Sequence, residues 1–150
     1  MKFRFVDRII AWEPRTRIAG DKAVSFEEYM LKSRFGGPEC LPESLLAQAV
    51  IGLADWLVLL STDFRQRLTP DEIEQCIFHQ ILRPGKRVRM QVECREWSGD
   101  RVWFAARGTV DDEPLVTVAG VGGRLTSAVE DLDIDDTRTL FSELFQPLNS

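Results

Sequence analysis

Apolar and polar positions alternate with two different periods along this chain. From Leu45 to Leu60 apolar residues surround almost the whole helical circumference, the mark of a helix enclosed on most sides. Gln48 and Asp55 interrupt that run seven residues apart, two turns on, so they share one stripe. Pro42 stands at the helix start, where the first amides lack an intrahelical acceptor.

The second half alternates with period two. Val88, Met90, Val92 and Cys94 interleave with Arg89, Gln91, Glu93 and Arg95, as in a half-buried strand. Ser98-Gly99-Asp100 predicts a turn, Val102 to Val110 a second strand with Gly108 as a weak point or bulge, and Asp111-Asp112 another turn. Leu115, Val116 and Val118 form a third strand. Before the helix, Phe3 to Ile10 and Ile18 to Ser25 read as extended segments, broken at Glu13-Pro14-Arg15. Lys32 to Pro42 reads as a loop. Past an acidic stretch, Leu140, Phe141, Leu144, Phe145 and Leu148 line one face of a tail helix, with Asp136 as its N-cap. That face is expected to pack on its own domain, because an exposed apolar patch favours association.

Short strands, an enclosed helix and an antiparallel meander make an α+β domain in which a long central helix is wrapped by a curved antiparallel sheet. The expected division is a main domain over residues 1–128 and, over 129–150, an acidic segment with an amphipathic helix packing on it. A chain of 150 residues buries roughly 70% of its unfolded surface and needs no metal or disulfide to hold a core. A net charge of −5 argues against nucleic acid as a partner. Cys40, Cys76 and Cys94 form no CxxC pair, so the reading is buried reduced thiols, no metal site and a cytoplasmic setting. The longest apolar run is too short for a membrane span, and the first residues carry no signal-peptide pattern.

Four motifs in order then narrow the class. Phe5-Val6-Asp7-Arg8-Ile9, Gly20 to Ser25, Leu41-Pro42 before an Ala-containing helix, and Arg83-Pro84-Gly85 resemble the 3-hydroxyacyl-carrier-protein dehydratases over roughly residues 3 to 125. The resemblance implies a hot-dog fold, a dimer whose two sheets join, and a tunnel for an acyl chain. It implies no cofactor, and as partners an acyl-carrier protein or an acyl-CoA thioester. Phe35, Leu41 and Gln48 then fall at substrate-binding positions. In that family a loop histidine and a helix carboxylate, contributed by different chains, remove water from a 3-hydroxyacyl thioester.

Both of those groups are replaced. Aligning Phe35 and Leu41-Pro42 with the family pattern puts Arg34 at the histidine position and Gln48 at the carboxylate. Arginine stays protonated and cannot act as base, and glutamine has no titratable proton. Glu43 replaces a glycine that lets a backbone amide approach the thioester. His79, the single histidine, lies too far along the chain to substitute and reads as a strand-edge residue.

The expected function is therefore an acyl-thioester or partner-subunit binder of fatty-acid or polyketide metabolism that lacks the family's chemistry. The alternative is an active dehydratase or thioesterase that relies on a displaced residue such as Asp55. Gln48 either orients a thioester carbonyl or is a buried amide satisfied by backbone. Asp55 is either a replacement acid or a paired structural group. Arg83, Lys86, Arg87 and Arg89 either dock an acidic carrier or protect a strand edge. The assembly expected is a homodimer or a pairing with a related subunit. A mixed dimer with an active relative would leave each of its two sites one member short.

Overall fold

The structure, a computed structural model, describes residues 6–23, 40–80, 85–130 and 132–148, with the backbone alone for 40–45. Strands β1 (Arg8–Glu13) and β2 (Arg17–Ala23) form a hairpin, and helix α1 (Cys40–Ser61) follows. Strands β3 (Gln66–Phe78), β4 (Arg87–Ser98), β5 (Arg101–Val110) and β6 (Glu113–Ser127) come next, and then helix α2 (Ile134–Leu144). All six strands join one sheet in the order β1-β2-β4-β5-β6-β3, and every neighbouring pair is antiparallel. This is the hot-dog fold, with α1 lying across one face of the curved sheet.

The alternation along β4 and β5 explains that packing. Val88, Met90, Val92, Val102 and Phe104 are buried with Leu46, Val50, Leu53 and Leu57 of the helix in one core. Sheet and helix meet closely at Gly20 on β2. A Cβ there would lie 2.6 Å from the Arg8 carbonyl oxygen and 3.2 Å from Leu53 Cδ2, so only glycine fits without movement. The register shift between Gly108 and Thr109 places a bulge where the sequence suggested one.

Several boundaries differ from the expectation. β3 was not legible as a strand, and β6 runs on well past Val118 to Ser127. The tail helix begins earlier, because its N-cap is Asp133, whose side chain accepts from the Asp136 N–H at 3.1 Å. Asp136 is thus a first-turn acid, where negative charge suits the helix dipole. Cys76 is exposed and Cys94 half-buried, so the reading of buried thiols is corrected for both. No helix among the described residues is long and apolar enough to cross a membrane.

The two sheet edges are treated differently. At β1, Phe145 forms a parallel bridge to Ile9, and the Gln146 N–H donates to the Ile9 carbonyl at 2.9 Å. Phe141 anchors that tail against Trp56, ring centroids 5.9 Å apart, and stacks on Phe145 at 5.2 Å. The tail helix thus packs on its own domain. At β3 the residues from Asp71 to Ile77 are exposed, and Ile73 and Ile77 stand about half in solvent.

One buried charge ties three strands together. Asp21 on β2 is 1% exposed and lies in register between Arg8 of β1 and Arg89 of β4. Arg8 Nε donates to it at 2.7 Å, Arg89 Nε donates to the other oxygen, and Arg87 stands 3.8 Å away. Burial opposes the Asp21 charge, but the bonds from Arg89 and Arg8 outweigh it and hold the carboxyl below its ordinary range. A depressed value adds stability above the unfolded-state pKa and loses it as pH falls through the folded-state value. Asp21→Asn should therefore cost about 2 kcal/mol at pH 7, the scale of a hydrogen bond to a charged group. Urea unfolding at pH 7 and again in acid should show the gap between wild type and variant narrowing as pH falls.

Candidate functional site

The stripe on α1 is where the candidate chemistry gathers. Gln48 is exposed in the single chain. One turn on, Ile51 and Gly52 are half-buried, and a second turn on lies Asp55. The helix projects this line past β3, because Asp55 reaches that strand directly.

Both oxygens of Asp55 are engaged there. Oδ1 accepts the Leu68 N–H at 2.7 Å, and Oδ2 accepts from Arg67 Nη2 at 2.9 Å. The Asp55 side chain is 17% exposed and that of Arg67 31%. Burial pushes the Asp55 carboxyl up, and it outweighs the opposing effects of the Arg67 charge and the Leu68 amide. A raised pKa contributes stability at pH below the unfolded value, which is lost as pH rises through the folded one. The pair is therefore held by geometry against a desolvation cost.

The other candidates lie apart or outside. Arg34, Phe35 and Arg83 fall outside the described residues, as do the side chains of Leu41 and Glu43. Lys86 donates to Asp111 at 3.0 Å on the surface. Arg87 and Arg89 turn toward Asp21, so half of the expected basic group belongs to the three-strand cluster. The sequence does not join the Arg8–Asp21 hairpin to that group, because Arg87 and Arg89 come from a strand far along the chain. The exposed His79 bonds Thr117 through Nε2 at 2.8 Å, and its backbone N–H donates to Leu115, at the β3–β6 edge.

Chemically, the stripe presents an amide that can donate and accept at one end, an apolar middle, and a closed ion pair at the other. If the Asp55–Arg67 pair is structural, removing one partner will be more costly than removing both. Arg67→Met alone strands a buried carboxylate and should cost about 3 kcal/mol, whereas Asp55→Leu with Arg67→Met should cost well under that. Thermal or urea unfolding of the two variants side by side checks the order.

The family model described as FabA-like domain matches residues 1–119. A 3-hydroxyacyl-[acyl-carrier-protein] dehydratase FabZ of Geotalea uraniireducens is 29% identical over 120 residues, covering 78% of this chain and 82% of that protein. A coronafacic acid dehydratase of Pseudomonas savastanoi pv. glycinea is 31% identical over 121 residues, 77% of this chain and 72% of that one. Among solved structures, a hot-dog-like protein from Thermanaerovibrio acidaminovorans superposes with a TM-score of 0.63 at 14% identity, covering 89% of this chain and 93% of its own.

Proposed function

The chain belongs to the FabA-like domain family, and on that premise we propose that it binds an acyl thioester in fatty-acid or polyketide metabolism without performing the family's dehydration. The observation that carries this reading is Gln48, an exposed amide at the helix position where the family pattern has a carboxylate. Glutamine keeps the length and hydrogen-bonding reach of glutamate and drops its proton. Arg34 at the histidine position supplies a fixed positive charge and no base.

The rival reading, a displaced acid at Asp55, is disfavoured by its two bonds to Arg67 and Leu68. A carboxylate with both oxygens engaged must first be released before it can take or give a proton to substrate. The ligand we assign is a thioester on a carrier protein or on CoA, in a cytoplasmic setting suited to reduced thiols. The assembly we assign is a homodimer through β3, whose exposed edge carries Ile73 and Ile77 and needs cover. Light scattering should return about twice 17.1 kDa at micromolar concentration; a monomer mass would refute the dimer.

Lys86 and Arg87 remain exposed enough to meet an acidic carrier. Because Arg87 also faces the buried Asp21, the clean change is reversal of Lys86 alone, which removes one surface contact worth up to about 1 kcal/mol. Carrier binding should weaken accordingly at low salt and lose that sensitivity at high salt. An affinity indifferent to the reversal and to salt would assign the residues to edge protection.

The decisive assay is turnover. General acid–base groups contribute roughly 10²–10⁴-fold each, so the wild-type chain should show no dehydration of 3-hydroxyacyl thioesters above background. Arg34→His with Gln48→Glu should restore measurable turnover, read as enoyl absorbance. Robust turnover by the unmodified chain would overturn the reading.

A further inference from the structure

Between its two polar ends the α1 stripe forms a strip of defined length. Gln48 and Asp55 lie within about 20° of the same line along the helix. Seven residues at about 1.5 Å each separate them by roughly 10.5 Å along the axis. Ile51 and Gly52 form the floor between them, half-buried and carrying no polar side chain. The neighbouring strand contributes Leu68, which is buried and whose N–H is held by Asp55. Gly52 leaves this floor bare in mid-helix, a choice that costs a helix about 1 kcal/mol relative to alanine. At the far end stands the Asp55–Arg67 pair, which bridges helix to strand at 2.9 Å.

We infer that Asp55 and Arg67 are the chain-length stop of the acyl site, limiting it to acyl groups of about eight carbons. The inference rests on the acyl-thioester reading above and adds the substrate class. An extended chain advances roughly 1.2 Å per bond, since a three-bond backbone unit spans about 3.6 Å at most. A carbonyl carbon held at Gln48 therefore brings about the ninth or tenth carbon level with Asp55, so a chain of about eight ends short of the pair. A longer apolar tail must enter the ion pair, stripping water and partners from two charges without replacing them. The occupant is an acyl chain because the strip is apolar in its middle and polar only where a carbonyl would lie and where the tail would end. Gly52, four residues and about 6 Å from Gln48, sets the depth available at about the sixth carbon.

The test uses the full-length chain and a series of saturated acyl-pantetheine amides of four to fourteen carbons, stable against hydrolysis, measured by calorimetry. Wild type should gain roughly fourfold in affinity per added methylene up to about eight carbons, and nothing beyond. Asp55→Ala with Arg67→Ala should carry the gain at least two carbons further. Should that double variant not fold, Gly52→Leu provides an independent arm, since leucine favours the helix more than glycine does. It should bring the limit down to about five carbons. Gains that continue in wild type through twelve carbons, or a limit unmoved in the folded variants, would overturn the stop while leaving acyl binding intact. Affinity independent of chain length throughout would overturn the acyl reading itself, and this inference with it.

Discussion

A helix that is apolar on nearly every side cannot stand at a surface, and the rest of this structure follows from enclosing α1. One face of the sheet takes Leu46, Val50, Leu53 and Leu57 into the core. The tail sets Phe141 against Trp56, and Leu140 and Phe145 pack on the same core. What is left half-open is the Gln48–Asp55 side. The candidate site is thus the part of the helix that its own chain does not cover.

The same constraint arranges the edges. The tail that packs on Trp56 also reaches β1, where Gln146 caps the Ile9 carbonyl and Pro147 offers no amide to continue a strand. β3 is left as the open edge, next to the open side of the helix. A site bordered by an unpaired edge suits completion by a second chain, which is the assembly proposed above.

How far the sequence foretold this depends on how local each cause is. Burial on one face leaves a period-two record in β4 and β5, and all-round enclosure leaves its own in α1, so both were readable. β3 leaves no such record: Thr69-Pro70-Asp71-Glu72 is polar, holds a proline and contains a register shift, as an edge strand can. The end of β6 lies past Val118 across Gly120, Gly122 and Gly123, residues that carry no side chain to continue an alternating pattern. In the fold Gly120 and Gly122 lie under the Trp103 ring and have no room for a side chain. The line from Gln48 to Asp55 was visible as a seven-residue spacing. Arg67 as the partner of Asp55, and Asp21 as the partner of Arg8 and Arg89, depend on strand register and left no local trace.

On the reading proposed above, Arg34 and Gln48 take proton transfer away from a scaffold that keeps the family's helix and sheet, and leave a binding site without the reaction. The central claim is that Gln48 meets the thioester carbonyl. Its most direct test follows the Gln48 side-chain amide in the ¹H–¹⁵N spectrum, assigned with Gln48→Ala, during titration with an eight-carbon acyl-pantetheine amide. The account predicts that this amide pair shifts on binding and that Gln48→Ala weakens binding by roughly tenfold, about one neutral hydrogen bond. An amide pair that does not move, with Gln48→Ala binding as tightly as wild type, would contradict it.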